Sequence, residues 1–117
     1  AYVRGELKYD SDLAYEVLTR DVHPWNYGGF TGRYVSSAAA LGQAMTNNPS
    51  LRVFVACGHY DLATPAGGIE HTINHLPTDQ TRLANVGFAY YEGGHMMYSN
   101  LDSLARLNAD LRAFVTK

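Results

Sequence analysis

With 117 residues, 46% of them apolar and 17% charged, the chain can bury one small core, and its composition argues against disorder. A formal net charge of −2 excludes the basic footprint of a nucleic-acid binder, and the five histidines are scattered rather than gathered into a patch. Cys57 is the only cysteine, so no internal disulfide can form, and no apolar run approaches the ~18–20 residues that cross a bilayer.

The first residues, AYVRGELKYD, carry charges and no apolar stretch of the signal-peptide kind. A start without Met fits a mature product or an excised domain equally well. Asp10 or Ser11 is placed to cap a short helix over Asp12 to Arg20, with Leu13, Ala14, Val17 and Leu18 on one face. HPWNYGGFTGRY (His23 to Tyr34) is rich in glycine and aromatic rings and predicts a loop. Its rings, Trp25 among them, would either line a cleft or pack the joint between helix and sheet. An Ala-rich helix is expected over Tyr34 to Asn47, ended by Asn47-Asn48-Pro49.

Leu51 to Cys57 (LRVFVAC) has the short, β-branched, apolar pattern of a strand buried on both faces. A helix is expected over Gly67 to Leu76, with Ile69, Ile73 and Leu76 aligned, then a polar connection over Pro77 to Asn85. Val86 to Tyr91 (VGFAYY) is a second apolar strand, followed at once by Glu92-Gly93-Gly94-His95. Ser99 and Asp102 have capping-box spacing before a last helix, whose apolar stripe would be Leu101, Leu104, Ala105, Leu111, Phe114 and Val115. Strands alternating with helices predict α/β architecture, a parallel sheet covered on both faces. Two strands make a poor sheet by themselves, so the sheet in this chain is expected to be incomplete. The chain then reads as one partial domain over 1–117. Residues 1–50 form a helical and loop lead-in, and 51–117 a strand-helix-strand-helix unit.

In open α/β sheets, functional groups sit in loops just past the carboxyl ends of parallel strands. Asp61 falls four residues after the first expected strand and His95 four after the second. If the strands are neighbours, both side chains emerge at one edge, where the carboxylate can accept the imidazole Nδ1 proton and orient the ring. Gly58 and the Gly93-Gly94 pair permit the sharp reversals this needs. Either residue alone reads as a turn or cap; the pair, in the order Asp then His, points to catalysis.

GHYDLATP, followed by EGGHMMY with its His 34 residues after the Asp, resembles the C-terminal end of a serine carboxypeptidase of the α/β-hydrolase superfamily. The likeness is nearest to the bacterial branch and extends over nearly the whole chain. It includes AMTNNPSLRVFVACGHYDLATP, FAYYEGGHMMY and the last helix. The resemblance implies a C-terminal fragment of the three-layer hydrolase fold. It makes Asp61 the triad acid, His95 the general base and Met96 a substrate contact on the leaving-group side. It also implies a peptide substrate, no cofactor or metal, and export to the periplasm or beyond. The chain departs from the family in one large respect. None of Ser11, Ser36, Ser37, Ser50, Ser99 or Ser103 lies in a G-x-S-x-G elbow, and Gly29-Phe30-Thr31-Gly32 lacks both the serine and a preceding strand. The nucleophile is therefore expected upstream, outside this chain, and the chain alone is expected to be inactive.

Other readings compete for the same residues. His71 and His75, four apart with Glu70 beside them, have metal-binding spacing, but no HExxH motif or third ligand accompanies them. Cys57 reads as a buried, inert thiol rather than a nucleophile. Glu92 is a strand-end charge or an electrostatic neighbour of His95. An esterase-like hydrolase would share the same acid and base. A non-catalytic module that pairs its open sheet edge with a second copy or with the rest of the hydrolase is the alternative of a different class.

Overall fold

The computed structural model describes residues 2–14, 16 and 19–116. Contacts divide the chain into two units, Ala1–Val35 and Ser36–Lys117. The first unit holds a single helical turn, α1 (Tyr2–Gly5), and a 3-10 turn at Gly28–Phe30. The helix expected over Asp12 to Arg20 does not form at the described positions, and Val17 and Leu18 lie outside them. Arg4 Nη2 donates to Asp12 Oδ1 and to the Ser11 carbonyl, both at 2.8 Å, while Ser11 Oγ accepts the Leu13 N–H at 3.2 Å. Leu13 is 84% exposed, so among the described residues no leucine of the expected face is buried to offset the cost of nucleating so short a helix. Trp25, Tyr27, Phe30 and Tyr34 are likewise exposed. The segment is held by short-range bonds, such as Gly28 N–H to Asn26 Oδ1.

The second unit is mixed α/β. Helix α2 (Ala38–Asn47) starts four residues later than expected, because Ser36 Oγ accepts the Ala38 N–H and the Ser37 carbonyl accepts that of Leu41. It ends where the sequence places the stop, and Asn48 Oδ1 then accepts the Ser50 N–H across Pro49. Strand β1 (Val53–Gly58), helix α3 (Ala66–Asn74), a 3-10 segment (Gln80–Asn85), strand β2 (Val86–Tyr91), a 3-10 turn (Met97–Ser99) and helix α4 (Leu101–Thr116) follow. Helix α3 begins directly after Pro65, whose carbonyl accepts the Gly68 and Ile69 N–H groups.

β1 and β2 are parallel neighbours in a two-stranded sheet, in register from Val53↔Val86 to Gly58↔Tyr91. Alternation along the strands puts Val53, Val55, Val86 and Phe88 on one face and Phe54, Ala56, Ala89 and Tyr91 on the other. Against the first face lies the core of Met45 from α2 with Ile73 and Leu76 from the α3 region, to which Val53, Val86 and Phe88 are packed. Each such buried side chain contributes roughly 1.5–3 kcal/mol. Helix α4 takes the second face, with the Phe54 and Phe114 rings 5.5 Å apart. Most residues of β1 are only half-buried, since a two-stranded sheet leaves its outer edges uncovered.

Helix α4 departs from its expected orientation. The residues turned inward are Ser103, Leu107, Asp110 and Phe114, while Leu101 and Val115 of the expected stripe are 80% and 78% exposed. Two polar bonds decide the rotation: Ser103 Oγ donates to the Glu92 carbonyl at 2.7 Å, and the Tyr91 hydroxyl donates to Asp110 Oδ2 at 2.8 Å. Tyr91 is completely buried, so its hydroxyl needs a partner, and only this face of α4 brings one. Burial first, and then the Asp110 bond, push the Tyr91 phenol up to about 12.

The cap of α4 is also not the expected one. Asn100 Oδ1 accepts the Ser103 N–H at 3.0 Å and the Asn100 carbonyl accepts that of Leu104, whereas Ser99 belongs to the preceding 3-10 turn. Asn100→Ala is therefore expected to lower unfolding free energy by about 1 kcal/mol. Ser99→Ala should stay within about 0.5 kcal/mol of wild type in the same urea titration.

Candidate active site

The loops that leave β1 and β2 are bound to each other before either reaches a functional side chain. The ladder continues past the strand ends: His59 N–H donates to the Tyr91 carbonyl at 3.0 Å, and Tyr60 N–H to the Gly93 carbonyl at 2.9 Å. Gly58 sits where the two backbones cross, and a Cβ there would lie 2.2 Å from the Gly94 carbonyl oxygen. Gly93 has φ +130°, and a Cβ on it would lie 2.9 Å from Met97 Cα. Glycine is required at both positions, at the first by space and at the second also by backbone conformation.

This crossing delivers Asp61 and His95 to one place. Asp61 is buried, and its carboxylate is fully engaged. Oδ1 accepts the Ala63 and Thr64 N–H groups, both at 2.9 Å. Oδ2 accepts the Thr64 hydroxyl at 2.6 Å and His95 Nδ1–H at 2.9 Å. The Thr64 hydroxyl, the Thr64 N–H and His95, in that order, hold the Asp61 carboxyl well below the usual carboxylate range. An ionised carboxylate only accepts, so Nδ1 is the nitrogen that carries the proton and Nε2 keeps its lone pair. The His95 side chain is 65% exposed, which leaves that lone pair available to an incoming hydroxyl. Such an arrangement can serve as an oriented general base.

Since the Asp61 pKa is depressed in the folded state, its contribution to stability is complete above the ordinary value of 3.8 and is lost as pH falls below it. Unfolding free energy, followed by urea titration from about pH 5 to about pH 2, is expected to fall more steeply for wild type than for Asp61→Asn.

The remaining candidates are placed as follows. Met96 is exposed next to His95 in the chain. Cys57 is buried, and burial with the nearby Glu70 and Asp61 carboxylates pushes its thiol up, away from the reactive thiolate. The His71 and His75 rings lie 4.1 Å apart, but His75 Nδ1 is 2.7 Å from the His71 carbonyl, to which it donates. Glu70 accepts the Tyr90 hydroxyl instead of joining them, and that bond is the main cause pushing the Tyr90 phenol up to about 12. Among the described residues no group of three His, Cys, Asp or Glu side chains is placed to hold a metal. Glu92 lies beside Tyr60, whose phenol it raises. Ser103 is buried and bonded to the Glu92 carbonyl, away from the role of a nucleophile.

Thr64 is the site residue that the sequence reading passed over. Its signal was the D-x-x-T spacing, in which a short polar side chain can close a loop back onto the acid. A separate groove of about 680 Å³ lies between α4 and the strands, lined among others by Phe54, Gly87, Arg106 and Phe114. It includes neither Asp61 nor His95. No family model, curated protein or solved structure matches this chain.

Proposed function

We propose that the chain is the C-terminal portion of a serine-type carboxypeptidase of the α/β-hydrolase fold, supplying acid and base to a triad whose serine lies elsewhere in the enzyme. One observation carries the reading: the 2.9 Å bond from His95 Nδ1 to Asp61 Oδ2, formed beyond the carboxyl ends of adjacent parallel strands. The blocks GHYDLATP and EGGHMMY add to it.

In this reading the serine hydroxyl attacks the scissile carbonyl while His95 Nε2 takes its proton. The tetrahedral intermediate then collapses as the same proton passes to the leaving amino acid. Water then attacks the acyl-enzyme by the same sequence, releasing the shortened peptide and restoring the serine hydroxyl. Asp61 stabilises the imidazolium in both halves, and Met96 borders the departing residue. The oxyanion hole comes from backbone N–H groups of the same upstream portion. The mechanism calls for no metal or cofactor.

The test compares the 117-residue chain with the complete enzyme, using a fluorophosphonate probe and blocked dipeptide and ester substrates. The complete enzyme is expected to be labelled on serine and to release the C-terminal residue. Ester turnover with no release of a C-terminal residue from the peptides would favour an esterase. Labelling of the 117-residue chain itself, abolished by His95→Ala, would overturn the assignment of the nucleophile to another segment.

A second reading is self-association through the sheet edge. It is favoured by the two-stranded sheet, whose outer edges meet no further strand among the described residues. Sedimentation equilibrium separates the two: a concentration-dependent dimer supports self-association and a monomer removes it.

A further inference from the structure

We propose that Thr64 is a positioning residue, whose hydroxyl fixes the Asp61 carboxylate so that Oδ2 meets His95 Nδ1. The inference rests on the acid–base reading of the pair. It also extends that reading, because Thr64 touches both members: its Oγ1 is 2.6 Å from Asp61 Oδ2 and 3.4 Å from His95 Nδ1.

A carboxylate has a soft terminal torsion, and two backbone N–H groups on Oδ1 leave the plane free to swing about that anchor. The Thr64 hydroxyl removes the freedom by engaging Oδ2. Its single proton goes to Asp61, so the oxygen turns a lone pair toward Nδ1–H and accepts a weaker share of the same proton. The imidazole thus faces two acceptors on one side and gains nothing by flipping. Two local features place the hydroxyl in advance. Threonine is stiff at χ1, and Pro65 keeps Thr64 out of the α region. The Thr64 N–H bond to Oδ1 belongs to the backbone, so a valine of nearly the same shape deletes the hydroxyl alone.

The experiment uses 15N and 1H NMR of the His95 ring in this chain, in wild type, Thr64→Val, Thr64→Ser, Thr64→Ala and Asp61→Asn, with amide spectra as the check on folding. Wild type and Thr64→Ser are expected to show one tautomer with Nδ1 protonated and a slowly exchanging, downfield Nδ1–H. Thr64→Val and Thr64→Ala should lose that resonance and populate both tautomers. In the complete enzyme, Thr64→Val is expected to lower kcat about tenfold with KM unchanged, as suits one hydrogen bond to a charged group, and Thr64→Ser to restore it. Thr64→Val or Thr64→Ala matching wild type, while Asp61→Asn changes the spectrum, would overturn the role of Thr64 alone. If Asp61→Asn also leaves the His95 ring unchanged, the Asp61–His95 pairing fails and the proposal falls with it. Because the spectra need no turnover, absence of peptidase activity bears on the proposed function and not on this inference.

Discussion

Under the proposed function, Asp61→Asn is expected to lower kcat of the complete enzyme by about ten-thousand-fold while leaving the fold nearly intact. The asparagine carbonyl can keep the Ala63 and Thr64 N–H bonds that Oδ1 now holds, so the turn has no reason to open. What changes is the atom facing His95. An amide NH2 in place of Oδ2 donates where the carboxylate accepts, which clashes with Nδ1–H and drives the imidazole to the tautomer with Nε2 protonated. A base whose reacting nitrogen already carries a proton cannot take another from serine. Steady-state kinetics against an active-site titration would measure the loss. A reduction below about tenfold would remove Asp61 from the reaction.

Gly58→Ala should be strongly destabilising, since it has the closest added-Cβ contact of any glycine in the chain. The new Cβ would meet the Gly94 carbonyl oxygen at 2.2 Å and the Gly93 carbonyl oxygen at 2.9 Å, both backbone atoms that cannot step aside as a side chain would. The Gly93 carbonyl also accepts the Tyr60 N–H, so forcing the loops apart breaks the contact that aligns Asp61 with His95. A loss of about 3 kcal/mol of unfolding free energy is expected, together with loss of the His95 Nδ1–H resonance. Gly87→Ala is the control: the same substitution in the other strand, where nothing lies within 4 Å of the added carbon. It should be neutral or slightly stabilising, because alanine loses less backbone freedom on folding than glycine does. Urea unfolding of the two variants side by side gives the comparison. Equal effects would mean that the crossing of the loops is not tight.

These two glycines mark how far the sequence could be read. The sequence singles out Gly58, just past the expected strand, as a place for a sharp reversal, but it does not show which backbone atoms crowd it. Only the neighbour that each backbone meets makes one indispensable and the other replaceable. Thr64 is a similar case: D-x-x-T is a common loop spacing, and its value here comes from a histidine 31 residues further along the chain.

The sequence by itself determined the two strands, the order of helices around them and the pair Asp61–His95. β2 occupies the expected Val86–Tyr91, and β1 is shifted by only two residues at its start and one at its end. These features are legible because apolar patterning acts over a few residues, and because parallel strands send their following loops to a common edge. The tertiary structure alone decided the rest. It left Asp12 to Arg20 without a helix at the described positions, where Leu13 of the expected apolar face is exposed. It also turned α4 away from its most apolar stripe, because the buried Tyr91 hydroxyl and the Glu92 carbonyl needed Asp110 and Ser103. A stripe of leucines states how much can be buried. Which face is buried was set by the few polar atoms with no water to turn to.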